Sequence, residues 1–129
     1  MDERTLLNIA SKARDNAYAP YSNFKVGAAV LAKKGKVYTG CNIENATYGA
    51  TCCAEQTAIF KAVSEGEREF EAIAVQGDNE GETMPCGICR QVMAEFSPNI
   101  QIILEDAQGH IQCYPLKELL PHAFYLNNV

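Results

Sequence analysis

The sequence predicts an α/β protein built on one mixed sheet with helices on its faces. Three observations carry this. Segments of helical and extended pattern follow in the order helix, strand, strand, helix, strand, helix, strand, strand, helix. The paired strands are joined by short Gly-containing turns, as hairpins are. The helical segments stop at Gly or Pro or start at recognisable first-turn positions.

The elements follow in order. Residues 3–18 place Leu6, Ile9, Ala10, Ala13 and Ala17 on one helical face, and Pro20 bars continuation. Lys25 to Ala32 is rich in small and branched residues, Gly35 supplies a turn, and Val37 to Asn42 resumes an extended pattern, which reads as a β-hairpin. Cys52 to Glu65 carries Ala54, Ala58, Ile59, Ala62 and Val63 at helical spacing and stops at Gly66. Residues 71–76 read as a buried strand, Gly77 to Met84 as a polar loop, and Gly87 to Phe96 as a third helix. Ile100 to Leu104, a turn at Asp106-Ala107-Gln108-Gly109, and His110 to Tyr114 form a second hairpin. Pro115 then precedes a short helix over Leu116 to Leu120. Pattern alone does not fix the strand order.

Composition narrows the class. At 129 residues and 47% hydrophobic, the chain suits one domain over residues 1–129. The charged start, Met1-Asp2-Glu3-Arg4, and the lack of a long apolar run give no sign of a signal peptide or membrane span, so a cytoplasmic location is expected. Six cysteines would fit a disulfide framework in a secreted miniprotein, but here they cluster at metal-ligand spacing and read as reduced thiols. Cys41, Cys52 and Cys113 read as small buried apolar residues, with Cys52, beside Cys53, having an alternative reading as a metal ligand. A net charge of −5 argues against a polynucleotide groove and favours a small substrate. Lys33, Lys34 and Lys36 read as a solvated turn, and His110 and His122 as surface histidines.

The chemistry lies in Cys53-Ala54-Glu55 and Pro85-Cys86-Gly87-Ile88-Cys89. Three thiols can hold one Zn²⁺ and leave its fourth tetrahedral position for water, where a structural site would close with a fourth ligand. Taken alone, the Cys86/Cys89 pair reads equally as a redox pair or half a structural zinc knuckle; Cys53, Glu55 and Pro85 turn the reading towards catalysis. Both ligand groups open helices, where unpaired N–H groups and the positive dipole end favour thiolates. Glu55, in a first turn, reads either as a dipole-favoured surface charge or as the acid–base group that hydrolysis needs.

With these motifs the chain resembles the short, three-Cys cytidine deaminases of the cytidine and deoxycytidylate deaminase family, over about residues 3–125. The resemblance implies a three-layer α/β/α fold with a mixed, about five-stranded sheet. It implies one zinc per chain on Cys53, Cys86 and Cys89, Glu55 as proton shuttle, and hydrolysis of free cytidine and 2′-deoxycytidine to uridine and 2′-deoxyuridine in pyrimidine salvage. It further implies that Asn42 and Glu44 of Asn42-Ile43-Glu44 bind ribose hydroxyls, that Phe24 packs against the base, that main-chain groups of Ala54 and Cys86 grip the pyrimidine edge, and that Pro85 shapes the pocket. A homotetramer is implied, with Phe124 reaching a neighbouring subunit's base and Ala46 and Tyr48 in an interface loop. One departure stands out: Gln56 occupies a position where the family usually carries Arg, so helix ends and Arg90 are expected to offset more of the thiolate charge.

Three other readings remain: a deaminase acting on a modified nucleoside, one acting on single-stranded nucleic acid, or a non-catalytic zinc-binding interaction module. The second usually brings basic or aromatic platforms, and the third has no use for an open ligand position beside Glu55.

Overall fold

A computed structural model describes residues 1–126. Helix α1 (Glu3–Ala13) is capped by Asp2, whose carboxylate accepts from the Thr5 amide at 2.7 Å. The helix is shorter than its sequence pattern. It tightens into a 3-10 turn over Arg14–Asn16, and the backbone is extended again at Ala17. Tertiary pairing ends it before Pro20: the Tyr18 amide donates to Asn42 O at 3.0 Å, and Tyr18 bridges Ile43.

Strands β1 (Val26–Ala32) and β2 (Val37–Cys41) form the first hairpin; β3 (Phe70–Gly77), β4 (Gln101–Glu105) and β5 (Ile111–Pro115) complete a sheet of order β2-β1-β3-β4-β5. Among the described residues only β3 and β4 pair in parallel, with Ile73 opposite Ile102; the other three strand pairings are antiparallel. Helices α2 (Ala54–Ser64) and α3 (Gly87–Phe96) lie in one layer, and α4 (Leu116–Leu119) follows β5 directly.

Alternation along the strands divides the core in two. Ala28, Val30, Ile73, Val75, Ile102 and Leu104 meet Ala58, Ile59 and Ala62 of α2 and Met93 and Ala94 of α3. On the other face Ala29, Leu31, Ala72, Ala74 and Ile103 meet Leu6, Leu7 and Ala10 of α1. Each fully buried aliphatic side chain contributes about 1.5–3 kcal/mol of transfer free energy. Two glycines set how closely the layers approach. A Cβ on Gly27 would collide with the α1 backbone at Ala10 and Arg14, and one on Gly40 with the α2 backbone at Ala54 and Ala58.

Among the described residues α1 alone covers the second face, and the expectation for three cysteines is corrected. Cys113, on edge strand β5, is exposed, and Cys41 and Cys52 are half-buried. Cys113 is uncovered because α1 lies over β1 to β4 and leaves the outer end of β5 free, whereas Cys41 ends β2 and Cys52 lies in the segment before α2, both at the margin of the core.

Topology converges two helix starts. Strand β1 is antiparallel to both β2 and β3, so β2 and β3 run in one direction. Helix α2 follows β2 and α3 follows β3, on the same face, so both begin beyond the same edge of the sheet. Ligand sites of open α/β sheets lie at such carboxyl ends.

Candidate active site

Cys53 is the N-cap of α2 and Cys86 the N-cap of α3, both with extended backbone (φ −72°, ψ 158° and φ −69°, ψ 171°), and neither side chain makes a capping hydrogen bond. A Ser or Asp at such a position would satisfy a first-turn N–H. Here the donor-rich helix starts face sulfur, and Cys89 joins from the first turn of α3. Cys53 and Cys86 Sγ lie 3.9 Å apart, Cys86 and Cys89 3.5 Å, and all three within 4.8 Å of one another. Two sulfurs on one tetrahedral zinc, each at about 2.3 Å, stand about 3.8 Å apart. The donor set and its spacing therefore fit zinc. Cys89 is buried, Cys53 half-buried and Cys86 exposed, so the cluster has one open side.

Among the thiols, hydrogen bonding from Cys89 and then Cys86 lowers Cys53 to about 6. Cys89 is raised, because it is the donor to Cys53 and is buried. A divalent cation among the sulfurs displaces the remaining protons. Glu55 is only 5% exposed, and burial, reinforced by the charge of Cys53, pushes its carboxyl up to about 7 against opposing hydrogen bonds from its own backbone and Cys89.

Gln56 is buried beside Glu55. Its Nε2 donates to Cys89 Sγ at 3.5 Å, and its Oε1 accepts from the Cys52 thiol at 3.6 Å. Arg90 turns elsewhere: Nε donates to Pro85 O and Nη1 to Leu119 O, each at 2.9 Å. Its hydrogen bonds tie the start of α3 to the end of α4, and it is Gln56 that reaches a sulfur.

The segment leading into α2 is stitched by short bridges. Ile43 exchanges backbone hydrogen bonds with Cys52, both at 2.9 Å, while the Glu44 amide donates to Tyr18 O at 2.8 Å. This carries Asn42 and Glu44 up to the residues that precede Cys53. Both ends of the Asn42 amide are engaged: Oδ1 accepts from Val26 N at 2.9 Å and Nδ2 donates to Phe24 O at 2.8 Å. Glu44 accepts from the amides of Tyr21 and Ser22 and from the Ser22 hydroxyl. Its carboxyl is held below the usual carboxylate range, chiefly by that hydroxyl. Glu44 lines an open cavity of about 360 Å³ with Tyr21, Ser22, Asn45, Tyr48 and Thr51. Phe24 follows Asn23, which takes a left-handed turn (φ 57°), and its ring edge faces Gly77 at the end of β3.

Ala54 is fully buried against Gly40, Pro85 is buried, and Ala46 is exposed. Tyr48 and Phe124 are 82% and 62% exposed. Gln91 clamps the backbone of residue 124, accepting from its amide at 3.2 Å and donating to its carbonyl at 2.7 Å. Ser22 and Gln91 are contacts that sequence reasoning missed, and Cys52, expected as a small buried apolar residue, instead donates to Gln56. Ser22 sits beside residues it singled out, but a lone amide such as Gln91 carries no sequence signal.

An open three-thiol centre at paired helix starts, with a buried carboxyl beside it and an α/β/α frame around it, defines a zinc-dependent hydrolase. The profile of the cytidine and deoxycytidylate deaminase zinc-binding region matches residues 1–104, and the chain belongs to that family. It is 52% identical over 125 residues to a cytidine deaminase of Sporosarcina psychrophila, covering 96% of this chain and 92% of that one. It is 54% identical over 125 residues to a cytidine deaminase of Halalkalibacterium halodurans, covering 96% and 95%. The crystal structure of cytidine deaminase from Burkholderia pseudomallei superposes with a TM-score of 0.90 at 50% identity, covering 96% of this chain and all of that one.

Proposed function

We propose that the protein is a single-domain cytidine deaminase, residues 1–129, that hydrolyses free cytidine and 2′-deoxycytidine to uridine and 2′-deoxyuridine with release of ammonia, in pyrimidine salvage in the cytoplasm. The observation that carries this reading is geometric: Glu55 is buried two residues past Cys53, beside the open cluster of Cys53, Cys86 and Cys89, where a carboxyl can take and give a proton at water on the ion. Support also comes from the relatives named above. No described helix is long and apolar enough to cross a membrane.

Cys53, Cys86 and Cys89 hold the ion, which when bound supplies Lewis acidity and activates water at its open position. Glu55 accepts the proton that water loses on adding to C4 and delivers it to N3; it then carries the remaining proton of the new C4 hydroxyl to the amino nitrogen, the C4–N bond breaks as the C4 carbonyl forms, and ammonia leaves. Backbone groups of Ala54 and Cys86 orient the pyrimidine edge, and Pro85 closes the pocket wall. Phe24 packs on the base. Asn42 and Glu44 bind ribose with the hydrogen-bonding capacity left beyond their loop contacts. Gln56 adjusts the charge on Cys89.

The assembly is a homotetramer in which Phe124 reaches a neighbour's base, with Ala46 and Tyr48 in the interface. The high exposure of the two aromatic rings supports this. The test follows loss of aminopyrimidine absorbance and release of ammonia from cytidine, with single-stranded DNA in parallel. Turnover of cytidine that Glu55→Gln abolishes at unchanged zinc content supports the reading. Turnover of DNA alone, or of neither substrate with zinc bound, overturns it.

A further inference from the structure

We propose that Cys52 is a positioning residue for the metal centre: its thiol, donating to Gln56 Oε1, fixes the Gln56 amide so that Nε2 faces Cys89 Sγ. This rests on the zinc-site reading of Cys53, Cys86 and Cys89.

The argument begins with what a buried amide can do. Gln56 lies in the first turn of α2, 8% exposed, with donors at one end and an acceptor at the other. The two ends face two different sulfurs, Cys89 at 3.5 Å and Cys52 at 3.6 Å. A metal-bound Cys89 is a thiolate and only accepts, so a carbonyl oxygen turned towards it places two electron-rich atoms in contact. The amide must therefore present Nε2 to Cys89. Its Oε1, buried on the other side, then requires a donor.

Cys52 supplies that donor. It stands outside the metal cluster, and its backbone is fixed by two hydrogen bonds to Ile43. Its sulfur therefore has a defined position relative to α2. Cys52 acts as a hydrogen-bond donor rather than an alternative ligand, and the chain Cys52–Gln56–Cys89 delivers one oriented N–H to the most buried of the three sulfurs. Removing the donor lets the amide rotate or leaves its oxygen unsatisfied, and the N–H to Cys89 is lost or weakened. Groups that orient metal ligands typically change metal affinity by about 10- to 100-fold when removed.

The experiment measures zinc release from the loaded protein to the chelating dye 4-(2-pyridylazo)resorcinol, and the thiolate-to-metal charge-transfer band of the Co(II)-substituted protein. Cys52→Ala is expected to speed zinc release about 10-fold and shift the band. Cys52→Ser, which keeps a donor, is expected to stay within about twofold of the parent. Cys52→Val takes the place of Ala if Ala fails to fold. In the background of Gln56→Leu, where the chain is already broken, Cys52→Ala is expected to add nothing. Release unchanged by Ala or Val, equal acceleration by Ser and Ala, or additive effects with Gln56→Leu would each overturn the proposal. These readouts do not involve cytidine, so a failed deaminase reading and a failed positioning role give separate results.

Discussion

At the scale of single residues, burial and helix starts set the chemistry. Glu55 would be an ordinary first-turn carboxylate on an exposed helix; with its side chain buried its carboxyl rises to about 7. If Glu55 is the proposed proton shuttle, Glu55→Gln keeps the shape and removes its proton transfer, so kcat is expected to fall by about 10²–10⁴-fold with zinc content near one per chain. Metal analysis beside steady-state kinetics checks this, and retained turnover removes Glu55 from the shuttle role. In strand β2, Gly40 matters for a different reason. Gly40→Ala drives a methyl into the α2 backbone and is expected to cost about 1–3 kcal/mol, whereas Gly49→Ala, which meets nothing within 4 Å, should stay within about 0.5 kcal/mol of the parent. Urea denaturation of the two variants decides whether close helix–strand approach is the cause.

At the scale of elements, long-range polar contacts hold the helical layers to the sheet. Arg4 of α1 donates to Glu105 at the end of β4, which also accepts from Gln76 of β3 at 2.9 Å. Gln76 first and Arg4 second hold the Glu105 carboxyl below its usual value. A depressed carboxyl stabilises the fold above its unfolded pKa, about 4.3, and loses that contribution as pH falls through the folded value. Glu105→Gln should therefore destabilise by about 1 kcal/mol at pH 7 and by less near pH 3, flattening the acid limb of the stability profile. Equal losses at both pH values would show that the charge is immaterial.

The same scale explains how much of the fold was legible. Every strand and helix was visible as a periodic segment, and Cys53, Cys86 and Cys89 were recognisable from spacing. The end of α1 was not, because Tyr18 pairs with Asn42 and Ile43, a contact between segments far apart in sequence. Exposure of Cys113 was equally hidden, since it depends on how far α1 extends across the sheet.

At the scale of the whole molecule, the metal joins parts that the chain separates. Cys53 belongs to the start of α2 and Cys86 and Cys89 to that of α3, so an ion held by all three ties the two helices together. Zinc at 100 times its dissociation constant adds about 2.7 kcal/mol to the folded state. Removing it with a chelator should lower Tm by roughly 10 °C. Differential scanning calorimetry of loaded and stripped protein measures this, and an unmoved Tm would mean that the folded cluster does not hold the ion. If the proposed homotetramer forms, dilution in a sizing experiment should lower specific activity as the assembly dissociates. A fully active monomer would contradict shared active sites.

The sequence by itself determined the element types, the three thiols, the neighbouring carboxyl and the family resemblance, because periodicity and motif spacing are local properties of the chain. Tertiary structure decided what lies beyond local reach. It made β2 and β3 run in one direction so that α2 and α3 begin together, buried Glu55, and turned Arg90 to backbone carbonyls while Gln56 bridged Cys52 and Cys89. The physical reason is that burial and hydrogen-bond direction are set by neighbours distant in sequence, and the topology of the sheet chooses those neighbours.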